Sequence, residues 1–148
     1  RLELDDDPGA KLLSVFGGKI TTARALAAEA LDLLGIEGRK STATTPLPGG
    51  DLTPAFNEWL ERLGTSLPPP LLRRLAEAYG TRLRDLLGHA TSLEGLGRHF
   101  GGGLYEAEIR HLREREFART AEDMLWRRTK LGLRLTPKQR EEVAAFFA

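Results

Sequence analysis

The chain has 148 residues, the length of about one domain, and is therefore long enough to enclose a hydrophobic core. Its hydrophobic content of 41% and charged content of 29% are those of a folded globular protein rather than a disordered one. The absence of cysteine excludes a disulfide scaffold, a cysteine zinc site and an iron–sulfur site, and three histidines leave little for a histidine metal site. We therefore assign no metal ligands.

Charge and hydropathy narrow the function classes further. The formal charge is −3 over residues 1–70 and +4 over residues 71–148, and the sum is less basic than a nucleic-acid-binding domain usually is. No run approaches the roughly 20 apolar residues of a membrane-spanning helix, and the first residues do not have the pattern of a signal peptide. Because Met124 is the only methionine and the chain opens with Arg1, we expect it to be a piece of a longer protein.

The first 50 residues predict a strand, a glycine turn, a helix and a linker. A short apolar run bounded by glycines is typical of a strand, and the period then changes to that of a helix with one apolar stripe. Thr21 or Thr22 is the expected cap of this helix, and Gly35 is its expected end. The following segment is rich in Gly, Ser, Thr and Pro, which indicates a linker. These elements span residues 12–16, 17–18, 21–34 and 36–50.

The rest of the chain predicts short helices with glycine stops. Thr53-Pro54 and Thr136-Pro137 mark two helix starts, and Gln139 gives the second the spacing of a capping box. Residues 95–103 include five glycines and predict a loop. The expected fold class is mainly α, a helical domain preceded by one strand-like segment. Its predicted helices span residues 53–63, 68–79, 81–87, 104–115, 120–130 and 136–147.

The glycine turn is the first candidate site. Gly17-Gly18-Lys19 lies between a predicted strand and a predicted helix, where free backbone N–H groups and the helix dipole attract an anion and Lys19 adds a cation. It is neither a Walker A loop nor a dinucleotide fingerprint. From the residues alone, a plain turn with a solvent-exposed lysine is slightly favoured.

Charged clusters supply the other candidates, and each has a structural alternative. The run Arg127-Arg128-Thr129-Lys130 is suited to phosphate groups, but a solvated helix end or a buried salt-bridge network is favoured, and Arg73-Arg74 has a weaker claim. Four carboxylates are acid–base candidates, yet we expect them to be surface groups paired to arginines. We expect the histidines to be packed or solvated, and Trp59, Trp126 and the phenylalanines to fill the core. The four carboxylates are Glu106, Glu108, Glu122 and Asp123.

Several motifs in one order resemble a known family. The segment Leu13 to Thr22, continuing to Arg24 and Ala27, is similar to the second signature of FAD-dependent glycerol-3-phosphate dehydrogenases, most like the aerobic bacterial enzyme. Ala23 departs from it, because the signature has tyrosine before Arg24. Each motif alone is weak, whereas their order over nearly the whole chain is specific. The further motifs are Leu47-Pro-Gly-Gly50, Tyr79-Gly80, Leu86-Leu-Gly88, Phe100-Gly101, Tyr105-Glu-Ala-Glu108 and Asp123 to Lys130.

This resemblance implies an enzyme that oxidises sn-glycerol 3-phosphate to dihydroxyacetone phosphate through FAD and passes the electrons to membrane quinone. Residues 1–22 would be the end of the FAD-binding domain and residues 23–148 its helical C-terminal cap domain. Gly17, Gly18, Lys19 and Thr21 would lie at the isoalloxazine end of FAD, and Lys19 or Arg24 would reach the substrate or a phosphate.

The resemblance also implies a cytoplasmic enzyme that associates peripherally with the inner face of the cell membrane, and it allows a homo-oligomer. No catalytic base is assigned, FAD would be held mainly by the missing N-terminal part, and the fragment alone is expected to be inactive. The alternative is a helical interaction module whose basic half binds an acidic partner or anionic lipid headgroups without catalysis. That module predicts salt-sensitive binding by the chain alone. Nucleic acid is not an expected partner.

Overall fold

The structure is a computed structural model that describes residues 1–38, 41–64 and 66–147. It divides into two compact units, residues 1–46 and 47–148. The two residues 39 and 40 of the predicted linker lie outside the described residues. The strands are β1 (Leu2–Asp5), β2 (Leu12–Val15), β3 (His99–Gly101) and β4 (Leu104–Tyr105), and the α-helices are α1 (Ala23–Leu33), α2 (Pro54–Leu63), α3 (Pro69–Tyr79), α4 (Leu83–Leu87), α5 (Glu106–Arg115) and α6 (Pro137–Phe147).

The first unit is a β-hairpin followed by one helix. β2 is the predicted strand, but the expectation of a single strand was wrong, because β1 pairs with β2 in antiparallel register from Leu2 opposite Val15 to Asp5 opposite Leu12. The alternation of Leu2 and Leu4 with acidic residues is the period of a half-buried strand. None of residues 1–38 and 41–46 is buried, so the apolar stripe of α1 is at most half-buried.

The second unit contains two hydrophobic clusters. One packs α5 and α6 around Phe100, Met124 and Val143, and the other packs α3 and α4 around Leu75 and Leu83. The mainly α fold class is therefore confirmed. The boundary predicted between residues 22 and 23 concerns a longer protein and stays a prediction.

Two predicted helix starts are present with the expected hydrogen bonds. The Thr53 hydroxyl accepts from the Phe56 N–H at 3.4 Å. At α6 the box is reciprocal, since the Gln139 N–H donates to the Thr136 hydroxyl at 3.3 Å and the Thr136 N–H donates to the Gln139 side-chain oxygen at 2.9 Å. Local side-chain chemistry thus sets both starts.

Two expectations were wrong, one for the segment 95–105 and one for two of the phenylalanines. The predicted loop contains the strand β3, and β4 occupies the first two residues of the predicted helix, so that the glycines form a tight hairpin turn. The helix predicted to follow Thr120 is present, with the Asp123 N–H donating to the Thr120 hydroxyl at 3.1 Å, and it is wound as a π-helix over Asp123–Arg128. Phe117 is 75% exposed and Phe16 57%, so these two phenylalanines do not fill the core. Phe117 ends α5 in a left-handed conformation that directs the chain into a turn.

The Leu47-Pro-Gly-Gly50 motif packs directly against the end of α3. The Thr81 N–H donates to the Gly49 carbonyl at 3.0 Å. A Cβ added to Gly80 would lie 1.9 Å from that same carbonyl oxygen. The two backbone segments can therefore approach this closely only if residue 80 is glycine.

Candidate functional site

The glycine turn between β2 and α1 has an open backbone. Gly17 and Gly18 have φ values of +74° and +132°, and Lys19 follows in an extended conformation before a short 3-10 turn, Ile20–Thr22. Among the described residues, no atom lies within 4 Å of a Cβ placed on Gly17. A flat or anionic ligand thus has direct access to the main chain here.

The same turn presents hydrogen-bond donors. The hydroxyl of Thr22 donates to the Lys19 carbonyl at 3.0 Å, which closes the turn. In the part of the chain that the structure describes, the N–H groups of Ile20 and Thr21 have no acceptor. Lys19, Thr21 and Arg24 are exposed. The predicted order of strand, glycine turn and helix start is present, and the assignment of these residues to a cofactor stays a prediction.

A buried ion pair lies at the centre of the second unit. The two guanidinium Nη atoms of Arg74 donate to the two carboxylate oxygens of Glu108 at 2.8 and 2.7 Å, and one of them also donates to the Gly103 carbonyl at 2.7 Å. The Tyr79 hydroxyl donates to Glu108 at 2.8 Å. Glu108 is 1% exposed, so the expectation that it is a surface group was wrong, although its pairing with an arginine was expected.

Burial and the Glu108 carboxylate set the protonation of this cluster. Burial opposes ionisation of the Tyr79 phenol, and the neighbouring negative charge adds to that effect, so the pKa of Tyr79 is raised far above its usual value. Burial alone would lower the pKa of Arg74, but its hydrogen bonds and attraction to Glu108 outweigh that effect and raise it. At neutral pH the Tyr79 phenol is therefore neutral and the Arg74 guanidinium is positively charged.

An open cleft of about 440 Å³ lies beside this cluster. It is bounded by α3, by α5 and by the segment that leaves the π-helix. The motifs that contain Tyr79, Glu108 and Asp123–Lys130, separate in sequence, meet here. The lining residues are Arg74, Ala78, Tyr79, Glu108, Leu112, Glu116, Arg127, Arg128, Thr129, Lys130, Leu131, Leu133 and Arg134.

The exposed charges around the cleft divide into paired and unpaired groups. Arg127 donates to Asp123 at 2.8 Å and to Glu122 at 3.0 Å, as expected for surface carboxylates next to arginines. Outside the cleft lining, the half-buried Glu106 pairs with Arg110. The buried salt-bridge network expected at residues 127–130 was wrong, because Arg127 and its partners are surface groups and the buried pair is Arg74 with Glu108.

The histidines are packed or solvated, as expected. His111 is 5% exposed and packs edge-on against Tyr79 with ring centroids 5.4 Å apart, whereas His89 and His99 are exposed. Burial lowers the pKa of His111, and the Arg82 guanidinium acts in the same direction. Within the described residues, no helix is both long and apolar enough to cross a bilayer.

Sequence reasoning missed the Arg74–Glu108 pair, although one signal for it exists. Leu104, Glu108 and Leu112 recur at intervals of four, which places Glu108 on the inward face of α5. A carboxylate on an apolar face needs a partner, and Arg74 supplies the bidentate geometry that burial requires.

Comparison with known proteins gives a family match and several relatives. The sequence model of the C-terminal domain of alpha-glycerophosphate oxidase matches residues 40–147. The chain is 44% identical to D-erythritol 1-phosphate dehydrogenase of Brucella abortus over 98% of its length, 44% identical to glycerol-3-phosphate dehydrogenase of Pseudomonas aeruginosa over 91%, and 41% identical to aerobic glycerol-3-phosphate dehydrogenase of Escherichia coli over 97%. It spans 28 to 30% of the length of these three relatives.

Proposed function

The chain belongs to the family of the C-terminal domain of alpha-glycerophosphate oxidase, and from this premise we propose that it is the C-terminal part of a flavin-dependent dehydrogenase of a polyol phosphate. The proposed reaction oxidises the C2 hydroxyl of sn-glycerol 3-phosphate to the ketone of dihydroxyacetone phosphate. Two electrons leave the substrate as a hydride, the hydroxyl proton is released, and the electrons pass on to membrane quinone.

The observation that carries this proposal is the extent of the similarity. The three relatives align over 91 to 98% of the chain, across both compact units. Their names share one chemistry, the dehydrogenation of a polyol that carries a phosphate monoester. Glycerol 3-phosphate is proposed as the substrate. D-erythritol 1-phosphate, which one relative's name contains, is the longer polyol phosphate to test beside it.

The glycine turn fits the end of a flavin ring. Its two glycines leave the main chain uncovered, and the N–H groups of Ile20 and Thr21 have no acceptor among the residues described. FAD, when bound, supplies the two-electron acceptor. Gly17, Gly18 and Thr21 would hold that ring through the backbone, and Lys19 would favour negative charge beside it. Lys19 or Arg24 would also meet the phosphate of the substrate.

The remaining features of the proposal concern the longer protein. Residues 1–22 would end its FAD-binding domain and residues 23–148 would form its cap, on a cytoplasmic enzyme held peripherally at the inner face of the membrane, with a homo-oligomer allowed. The glycine turn is exposed, and the longer protein would supply the other walls of the flavin site, so we expect the 148-residue chain to be inactive by itself.

The test uses the full-length protein, loaded with FAD, and glycerol 3-phosphate with a soluble quinone as electron acceptor. We expect turnover, and we expect Lys19→Ala to lower kcat/KM by at least about tenfold, because it removes a charged contact to substrate or flavin. Lys11→Ala is the matched control, since Lys11 is an exposed cation in the β1–β2 loop, and it should change kcat/KM by less than about twofold. A wild-type protein without turnover overturns the proposed reaction, and equal effects of the two variants overturn the assignment of Lys19.

A further inference from the structure

In the part of the chain that the structure describes, the cleft of the second unit carries positive charges that no carboxylate neutralises. We propose that this cleft binds a phosphate-bearing anion through Arg128, Lys130 and Arg134. The residues of this site belong to the second unit, whereas the glycine turn belongs to the first, and the proposal does not depend on the proposed dehydrogenase reaction.

The carboxylates that line the cleft are already neutralised. Glu108 is engaged by Arg74 with both oxygens, at 2.8 and 2.7 Å. Glu116 accepts from Arg82 at 2.6 Å. Neither carboxylate is therefore a net repulsive charge towards an incoming anion.

Three cations of the lining lack such a partner. Over the described residues, no carboxylate lies within ion-pair distance of Arg128, Lys130 or Arg134, whereas Arg127 beside them has two. Lys130 donates to the Trp126 carbonyl, which leaves its charge uncompensated. Three like charges within seven residues repel one another, so an anion bound between them gains attraction from each.

The backbone holds these three residues in a fixed conformation. The π-helix ends where the Thr129 hydroxyl donates to the Met124 carbonyl at 2.8 Å and accepts from the Leu131 N–H at 3.2 Å. Lys130 then takes a left-handed conformation, with φ of +59°, that turns the chain into the segment bearing Arg134. A preformed arrangement lowers the ordering cost of binding, and π-helices occur frequently at functional sites.

The size and mixed lining of the cleft indicate an organic phosphate. Its volume of about 440 Å³ is larger than an inorganic phosphate needs and falls in the range of small-molecule sites. The planar forks of Arg128 and Arg134 match phosphate oxygens in pairs. Apolar lining by Leu131 and Leu133 offers contact to the organic part of the ligand. A soluble phosphate ester and a phospholipid headgroup share this chemistry.

The experiment measures binding to the 148-residue chain, which lacks most of the flavin site that we propose. Calorimetric titration with inorganic phosphate and with glycerol 3-phosphate tests the soluble source. Co-sedimentation with vesicles of phosphatidylcholine alone, or of phosphatidylcholine and phosphatidylglycerol in equal parts, tests the lipid source. The variants are Arg128→Gln/Arg134→Gln and, as the matched control, Arg73→Gln/Arg119→Gln, which removes two exposed arginines outside the cleft.

We expect one phosphate site with a dissociation constant below about 1 mM. Arg128→Gln/Arg134→Gln should weaken it by at least about tenfold, because it removes charge-assisted hydrogen bonds, while the control should change it by less than about twofold. Arg128→Lys/Arg134→Lys keeps the charge without the fork and should give an intermediate loss.

The two arms decide the source and the proposal. Binding of phosphate without retention on anionic vesicles supports a soluble ester. Retention on anionic vesicles supports a lipid headgroup if added phosphate abolishes it and if the Arg128→Gln/Arg134→Gln variant lacks it. Binding in neither arm overturns the proposal. An equal loss in the cleft variant and the control, with unchanged circular dichroism for both, also overturns it, because the attraction would then be one of overall charge.

Discussion

Glu108 and Arg74 connect α5 to α3 by a bidentate ion pair whose carboxylate is buried and whose guanidinium is 20% exposed at the cleft. Glu108 is 1% exposed, and its two oxygens accept from Arg74 and Tyr79. A buried pair of this kind stabilises little compared with apolar residues of the same volume. Once present, however, each charge depends on the other, because a single charge left at this depth is not solvated.

We therefore predict that Glu108→Ala lowers the free energy of unfolding by about 3 kcal/mol, because it leaves the Arg74 guanidinium buried without its carboxylate. Glu114→Ala, an exposed position on the same helix, should cost less than about 0.5 kcal/mol. Urea unfolding of the two variants measures both values. Similar small losses for both would contradict the account of the pair.

His111 gives the second unit a pH dependence whose direction follows from its burial. The folded state lowers the pKa of the imidazole below its ordinary value of 6.5, through burial first and Arg82 second. Below that pH the unfolded chain binds a proton that the folded chain does not. The contribution of His111 to the free energy of unfolding is therefore fully present above pH 6.5. It is lost as the pH falls through 6.5 towards the pKa of the folded state.

The matching measurement is urea unfolding at about pH 7.5 and about pH 5.5 for wild type, His111→Gln and His89→Gln. We expect the loss of stability at the lower pH to be smaller in His111→Gln than in wild type. His89→Gln should retain the wild-type loss, since His89 is exposed. An unchanged loss in His111→Gln would show that other groups cause it.

Among the secondary-structure elements, the contact between α3 and the Leu47-Pro-Gly-Gly50 loop requires that residue 80 be glycine, which has no side chain. Gly80 and Gly88 end their helices with nearly the same φ, +53° and +55°. A Cβ on Gly80 would meet the Gly49 carbonyl oxygen at 1.9 Å, whereas a Cβ on Gly88 has no described atom within 4 Å. An alanine at either position has the same backbone strain, but only an alanine at position 80 overlaps another atom. Comparing the two substitutions therefore distinguishes the two effects.

We predict that Gly80→Ala lowers the free energy of unfolding by about 1 to 3 kcal/mol more than Gly88→Ala does, because only the first forces the loop away from α3. Chemical unfolding of both variants gives the difference directly. Equal costs would mean that φ alone determines them and that the loop contact contributes nothing.

The elements that the sequence predicted best are those with local signals. Thr53 and Thr136 start their helices with the hydrogen bonds expected of their side chains, and Gly35, Gly64 and Gly88 follow helix ends. The elements that were missed depend on distant partners. β4 is two residues long and exists only through its pairing with β3, and the π-helix differs from an α-helix by a single-residue shift in hydrogen bonding that no residue type specifies.

The candidate sites divide in the same way. The strand, glycine turn and helix around Lys19 follow from neighbouring residues, so the sequence predicted their order. The cleft joins residues 34 positions apart, as in the bond from Arg74 to Glu108, and single-sequence patterns do not carry such pairings. Arg127 has carboxylate partners, whereas Arg128 has none among the residues that the structure describes. Both lie in one basic run, so the sequence pattern does not distinguish them.

At the scale of the whole molecule, the two units contribute different things to the proposed enzyme. The buried residues of the described chain all lie between residues 47 and 148, which gives the second unit a core of its own. The first unit carries the proposed flavin-binding turn and has no buried residue among those described. In the proposed enzyme, residues 1–22 would complete the cofactor site, and the second unit would be the stable part of the cap that residues 23–148 form.

The most direct test of this account is an anaerobic titration of the full-length, FAD-loaded protein with sn-glycerol 3-phosphate, followed by the visible absorbance of oxidised flavin. The account predicts that the flavin band bleaches with one equivalent of substrate and that dihydroxyacetone phosphate forms in equal amount. Bleaching by D-erythritol 1-phosphate but not by glycerol 3-phosphate would move the proposed substrate to the longer polyol. A protein that binds no flavin, or whose flavin is reduced by neither compound, would contradict the central claim.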